Sequence, residues 1–84
     1  MTQADEFRDE IKARFRRGIE SGAAFVEINS GDVHRAVGGY PGPDHRMPIC
    51  CDVMYAEMTA RDELHSAPPK GRGAKVTIRY QLPR

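Results

Sequence analysis

The sequence predicts an α+β fold: three helices and a small antiparallel sheet, the sheet made by a C-terminal hairpin together with a short strand after the first helix. Three observations point there. Phe7, Ile11, Phe15 and Ile19 recur at intervals of four near the N-terminus, which lines them along one side of a helix. The closing stretch AKVTIRYQL sets Val76, Ile78, Tyr80 and Leu82 in alternation with Lys75, Thr77, Arg79 and Gln81, the period of a half-buried strand. Two clusters of glycine and proline, GGYPGP and PPKGRG, interrupt the chain and impose turns.

The elements follow in order. Around the first helix, Asp5, Glu6, Asp9 and Glu10 crowd the start and Arg14, Arg16 and Arg17 the end, each sign suited to the dipole there. Thr2 or Asp5 is the candidate cap, and Gly18 and Gly22 bracket the termination. AAFVEI, residues 23–28, reads as a short strand. In NSGDVHRAVGG, Asn29 or Ser30 caps a helix of about two turns, with Val33, Ala36 and Val37 facing inward and Gly38-Gly39 past its end. His34 and Arg35 are expected to face solvent or to brace the turn YPGPDHR. A third helix over 47–58 carries Pro48 in its first turn, where a missing N–H costs nothing. Ile49, Cys50, Val53, Met54 and Glu57 or Met58 follow its inward spacing, leaving Asp52, Tyr55 and Thr59 on the other side. ELHSA and AKVTIRYQL, joined by the basic loop PPKGRG, complete a hairpin.

Bulk composition narrows the class. Eighty-four residues make one domain, spanning 1–84, that buries roughly 60–65% of its unfolded surface. With 39% apolar and 30% charged residues, a globular chain is expected rather than a disordered one. No apolar run approaches the roughly 18 residues of a membrane span, so no membrane partner is expected. MTQADEFRDE lacks the basic start and apolar stretch of a signal peptide. Cys50 and Cys51 are neighbours and could bridge only through a strained ring; reduced thiols and a cytoplasmic location follow. Net charge is +1, yet it is unevenly spread. Residues 21–63 hold seven acids against three arginines, while beyond Glu63 come only cations: Lys70, Arg72, Lys75, Arg79 and Arg84. Such a tail suits a polyanionic partner.

The order helix, short strand, short helix, turn, helix, strand, basic loop, strand resembles the winged helix-turn-helix architecture over nearly the whole chain, from Phe7 to Leu82. That resemblance implies a backing helix, a helix-turn-helix pair and a hairpin wing. The pattern DVHRAVGGYPG, HRMPICC and IRYQLPR also resembles a small uncharacterised bacterial protein family, a likeness that implies no activity.

The candidate contact residues come from these elements. His45 and Arg46 precede the third helix, where a recognition helix presents its leading end to a groove. Arg46 can fork onto guanine, and His45 or Tyr55 can reach phosphate or sugar. Lys70 and Arg72 alternate with glycines in the hairpin loop, with Lys75 and Arg79 along the strand, all suited to phosphate. The expected surface is therefore His45, Arg46, Tyr55, Lys70, Arg72, Lys75 and Arg79, the third helix and the wing facing one way. Nucleic acid, most readily double-stranded DNA, is the expected partner, bound without catalysis. The alternative is a protein-interaction module, for dimerisation or docking, which the acids Asp44, Asp52 and Glu57 favour.

Catalytic and metal chemistry are weaker readings. His34, His45, Cys50, Cys51 and His65 are the possible ligands, but zinc sites separate paired cysteines by two to four residues. Adjacent cysteines diverge by about 100° on a helix. A cysteine near a helix N-terminus has a lowered thiol pKa, yet no orienting third group accompanies Cys50 and His45. No catalytic residue, metal or cofactor is expected.

Overall fold

The computed structural model describes residues 3–38, 46–69 and 71–83. Its elements are α1 (Gln3–Glu20), β1 (Phe25–Asn29), α2 (Ser30–Val37), α3 (Met47–Ala56), β2 (Glu63–Ser66) and β3 (Thr77–Gln81). The fold is α+β, with a three-stranded antiparallel sheet in the order β1-β3-β2. No helix is long and apolar enough to cross a membrane among the described residues.

The α1 stripe is buried at Phe7, Ile11 and Phe15, whereas Ile19 stays 39% exposed. A strict four-residue repeat advances about 400° per step, so three steps carry the side chain roughly 120° away from the direction of Phe7. At the fourth turn Gly18 faces the sheet instead: a Cβ there would lie 2.6 Å from Leu82 Cδ1 and 3.8 Å from Val26 Cβ. Gly18 is thus a close-packing position inside the helix and not its terminator. Gly22, at φ +79°, ends the helix. Ala23 N–H donates to Gly18 O (2.9 Å) and Gly22 N–H to Ile19 O (3.0 Å), a paired closure that needs a left-handed residue after the last turn.

β3 is the central strand. It pairs Phe25↔Gln81 through Asn29↔Thr77 on one side and Glu63↔Arg79 and Leu64↔Ile78 on the other, with a bulge between Leu64 and Ser66. Val76, Ile78, Tyr80 and Leu82 are all buried, as the alternation requires. All four residues of β2 are exposed, and its inward-alternating Leu64 is 47% exposed. β2 is therefore the exposed edge strand of the sheet, while β3 carries its buried face.

α2 begins where β1 stops, because Asn29 serves both elements. Its Oδ1 accepts from Asp32 N–H (3.1 Å) and its Nδ2 donates to Thr77 Oγ1 (3.2 Å). The inward face differs from the expected Val33, Ala36 and Val37: Val33 is buried and Val37 half-buried, but Ala36 is exposed and His34 is fully buried. His34 stacks edge-on against Phe7, with ring centroids 5.1 Å apart. Its Nε2 accepts the Arg46 N–H at 2.8 Å, so of the two expected roles the ring takes the second, bracing the last residue of the turn YPGPDHR where α3 starts, and does not face solvent.

α3 is shorter than expected. It stops at Ala56, with Glu57 as its C-cap and Met58 N–H turning back to Tyr55 O at 3.2 Å. The α3–β2 turn is closed by buried Asp62, whose carboxylate accepts from Thr59 N–H (2.7 Å), Thr59 Oγ1 (3.0 Å) and Gln81 N–H (2.7 Å). Tyr80 O–H donates to Met54 O at 2.7 Å, tying the sheet to α3 through the core.

Candidate functional site

The hairpin loop is fastened to α3 at three points. Tyr55 O–H donates to Gly71 O at 2.6 Å. Arg72 forks onto Asp52, Nε to Oδ1 at 2.9 Å and Nη2 to Oδ2 at 3.2 Å. Cys51 Sγ lies 3.3 Å from both Gly73 N and Gly73 O, receiving from the first and donating to the second. Further along, Gly31 N–H donates to Ala74 O (3.2 Å) and Ser30 N–H to Val76 O (2.8 Å), while Ser30 Oγ donates to Gly73 O. The loop is therefore held by α2 and α3 together, and it brings Tyr55, Arg72 and Asp52 onto one surface. Lys75 is exposed nearby in sequence and has no ion-pair partner among the described residues. His45 and Lys70 lie outside the described residues.

Tyr55 is more anchor than contact. Burial, and then the neighbouring Cys51, push its phenol above the usual tyrosine value, so the hydroxyl remains a donor to Gly71.

Arg46 and Arg79 lie elsewhere, which breaks up the single cationic face expected from the sequence. The Arg46 guanidinium sits 5.3 Å from the centre of the Phe7 ring and pairs with Glu6 at 3.2 Å. Its side chain is only 20% exposed. Six residues separate it from Asp52, about 240° of helix rotation, so it turns toward α1 while Asp52 turns toward the loop. Its acidic partner is thus Glu6, from α1, while Asp52 belongs to Arg72. Arg79 occupies the outer face of the sheet, 4.2 Å from the centre of the Phe25 ring and 3.5 Å from Glu27 Oε2. His65 reaches the same Glu27 at 3.8 Å and Glu63 at 3.4 Å.

The cysteines have structural employment. Cys50 Sγ donates to Ser30 O at 3.6 Å and is fully buried. Burial, helped by neighbouring Cys51 and opposed by Arg14, pushes its thiol up to about 12. The helix N-terminus, which by itself would lower a thiol pKa, is outweighed by desolvation. Among the described residues no three His, Cys, Asp or Glu side chains gather in a way that could hold a metal ion.

Sequence reasoning missed Asp52 as the partner of Arg72, Cys51 as the seat of Gly73, and Asp62 as a turn staple. Asp62 had a local signal: Thr59 three residues earlier is the spacing at which a short side chain closes a turn. The other two pairings span 20 and 22 residues and had none.

No protein-family model, no curated protein and no solved structure matches this chain.

Proposed function

We propose that the chain is a winged-helix domain that binds nucleic acid non-catalytically, chiefly through the phosphate backbone and chiefly with its wing. The element order and the β1-β3-β2 sheet support the architecture. One observation carries the functional reading: the basic hairpin loop is clamped against α3 by Tyr55–Gly71, Arg72–Asp52 and Cys51–Gly73. A cationic loop held in this way meets a duplex already ordered, so little entropy is lost on binding. The guanidinium fork that grips the Asp52 carboxylate has the same geometry for phosphate. Arg72 can exchange one anion for the other, and Lys75 and the sequence-adjacent Lys70 add charge.

Base reading by α3 is not part of this proposal. Its exposed stripe is Pro48, Asp52 and Ala56, without a cation, and Arg46 is engaged with α1. Binding should therefore be weakly sequence-dependent and strongly salt-dependent. Two lysines give a slope of log affinity on log salt of about −1.8, and full release of Arg72 from Asp52 takes it to about −2.7. Fluorescence anisotropy of a labelled duplex across a salt series tests this. Replacing Lys70 and Arg72 together by Ala should weaken binding alike for unrelated sequences, whereas Arg46→Ala should leave sequence discrimination unchanged. A flat salt response, or unaltered binding by the double variant, rejects the proposal.

The same α3 stripe favours a second reading, docking onto a protein, since an acidic and apolar helix face is poorly matched to phosphate. That reading predicts a complex that survives nuclease treatment and is lost on changing Asp52 and Ala56 rather than the wing.

A further inference from the structure

Ile19 ends the apolar stripe of α1 without joining the core, and the surface around it is shaped. On one side lies a cleft of about 410 Å³ lined by Lys12, Phe15, Arg16, Ile19 and Glu57. On the other lies a depression of about 220 Å³ lined by Ile19, Gly22, Ala23 and Pro83. Ile19 belongs to both, so it is the ridge between two adjoining hollows. The rim of the larger one is cationic. Lys12 and Arg16 are exposed and have no ion-pair partner among the described residues, and Glu57, the one acid there, is already engaged by Arg8 at 3.4 Å. None of these residues belongs to the surface where the loop meets α3.

We propose that this ridge docks an acidic amphipathic helix of a partner protein. Apolar side chains one helical turn apart stand about 5–6 Å from each other, a spacing that lets two anchors straddle the Ile19 side chain, one in each hollow. Carboxylates flanking those anchors then face Lys12 and Arg16. This is the helix-in-groove mode, in which apolar anchors supply affinity and the charged rim sets orientation and partner choice. A second copy of this chain is the poorer occupant. The exposed charged residues of α1 from position 12 onward are Lys12, Arg16, Arg17 and Glu20, so self-pairing brings three cations to each side against a single acid.

The test is an NMR titration of the labelled protein with two synthetic peptides of about 14 residues, roughly 20 Å as a helix. Both carry leucines one turn apart in an otherwise alanine-rich frame. The first has glutamates on its flanks and the second has lysines at the same places. The acidic peptide should shift the amides of residues 12–23 and the lysine peptide should not. Ile19→Ser, at an exposed position, should weaken the acidic peptide by about tenfold or more. Lys12→Glu with Arg16→Glu should reverse the preference toward the lysine peptide, an outcome that loss of folding cannot mimic. Equal response to both peptides, shifts confined to other regions, or no reversal in the double variant overturns the proposal. So does self-association of the free protein that Ile19→Ser abolishes, which assigns the ridge to a second copy.

Discussion

Replacing Asp52 by Asn puts the wing reading to its sharpest test, because it should cost the fold almost nothing and strengthen binding. The Asp52 and Arg72 side chains are 54% and 57% exposed, and an ion pair so open to water contributes well under ~1 kcal/mol. The loop keeps its other two fastenings, so the melting temperature should fall by less than about 4 °C. On the binding side two terms change. A carboxylate about 6 Å from an incoming phosphate repels it by roughly 0.7 kcal/mol in water, and that repulsion vanishes. Arg72 no longer has to leave an anion to reach the backbone, which removes a further ~0.2–0.6 kcal/mol for a pair this exposed. Together these predict a gain of about five- to tenfold in duplex affinity at low salt, with the salt slope steepening from near −1.8 toward −2.7. Anisotropy titrations of parent and variant at matched ionic strengths measure both. Weaker binding with an unchanged slope would mean that Arg72 never touches phosphate, and the assignment of this surface would fall. Loss of a nuclease-resistant protein complex in the same variant would transfer the surface to the docking alternative.

Two further outcomes follow from the core. Asp62→Ala leaves the Thr59 and Gln81 N–H groups without the carboxylate that now accepts them. The loss should be about 2–4 kcal/mol, read as a lower urea midpoint, with Asp62→Asn losing less; a midpoint unchanged by Ala refutes the staple. Cys50 has its folded thiol raised from 9.0 to about 12, so the folded state holds a proton that the unfolded chain releases. Its stabilising contribution is complete below about pH 9 and declines between 9 and 12, by up to ~1.4 kcal/mol per pH unit. Comparing unfolding of the parent and Cys50→Ala across that range isolates the effect, and parallel pH profiles would contradict it.

Most of the architecture could be read from the chain because it rests on local periodicity. The alternation from Val76 to Leu82 survives intact, and Asn29, Asp32 and Gly38 mark α2 by cap chemistry that acts within one turn. The errors arise where a third element intervenes. Ile19 loses its place to Gly18 because Leu82, 64 positions away, needs the room. Ala36 yields the inner face of α2 to His34 because that ring finds both an aromatic neighbour in Phe7 and a donor in Arg46, neither visible from hydropathy. Gly31 reads as an unremarkable helix-start residue, yet a Cβ there would meet Ala74 O at 2.9 Å. What makes it indispensable is the approach of the distant hairpin loop.

The candidate site was less legible for an electrostatic reason. With 13 lysines and arginines and 12 acids in 84 residues, a cation's availability to an outside anion depends on which carboxylate the fold sets beside it. Arg46 and Glu6 are 40 residues apart, and Arg72 and Asp52 are 20 apart. Charge counted along the chain assigned Arg46, Arg72 and Arg79 to one surface. The fold instead gives each its own anion: one on α1, one on α3, one on the outer face of the sheet. Of the three, Arg72 alone holds its anion at the joint between α3 and the loop, and its pair is open to solvent, where water keeps the loss of that ion pair well under ~1 kcal/mol. Arg46 would have to give up a ring stack and a half-buried pairing to do the same. Accessibility of the existing ion pair, rather than the presence of the cation, therefore separates a residue that can turn to a partner from one that holds the fold together.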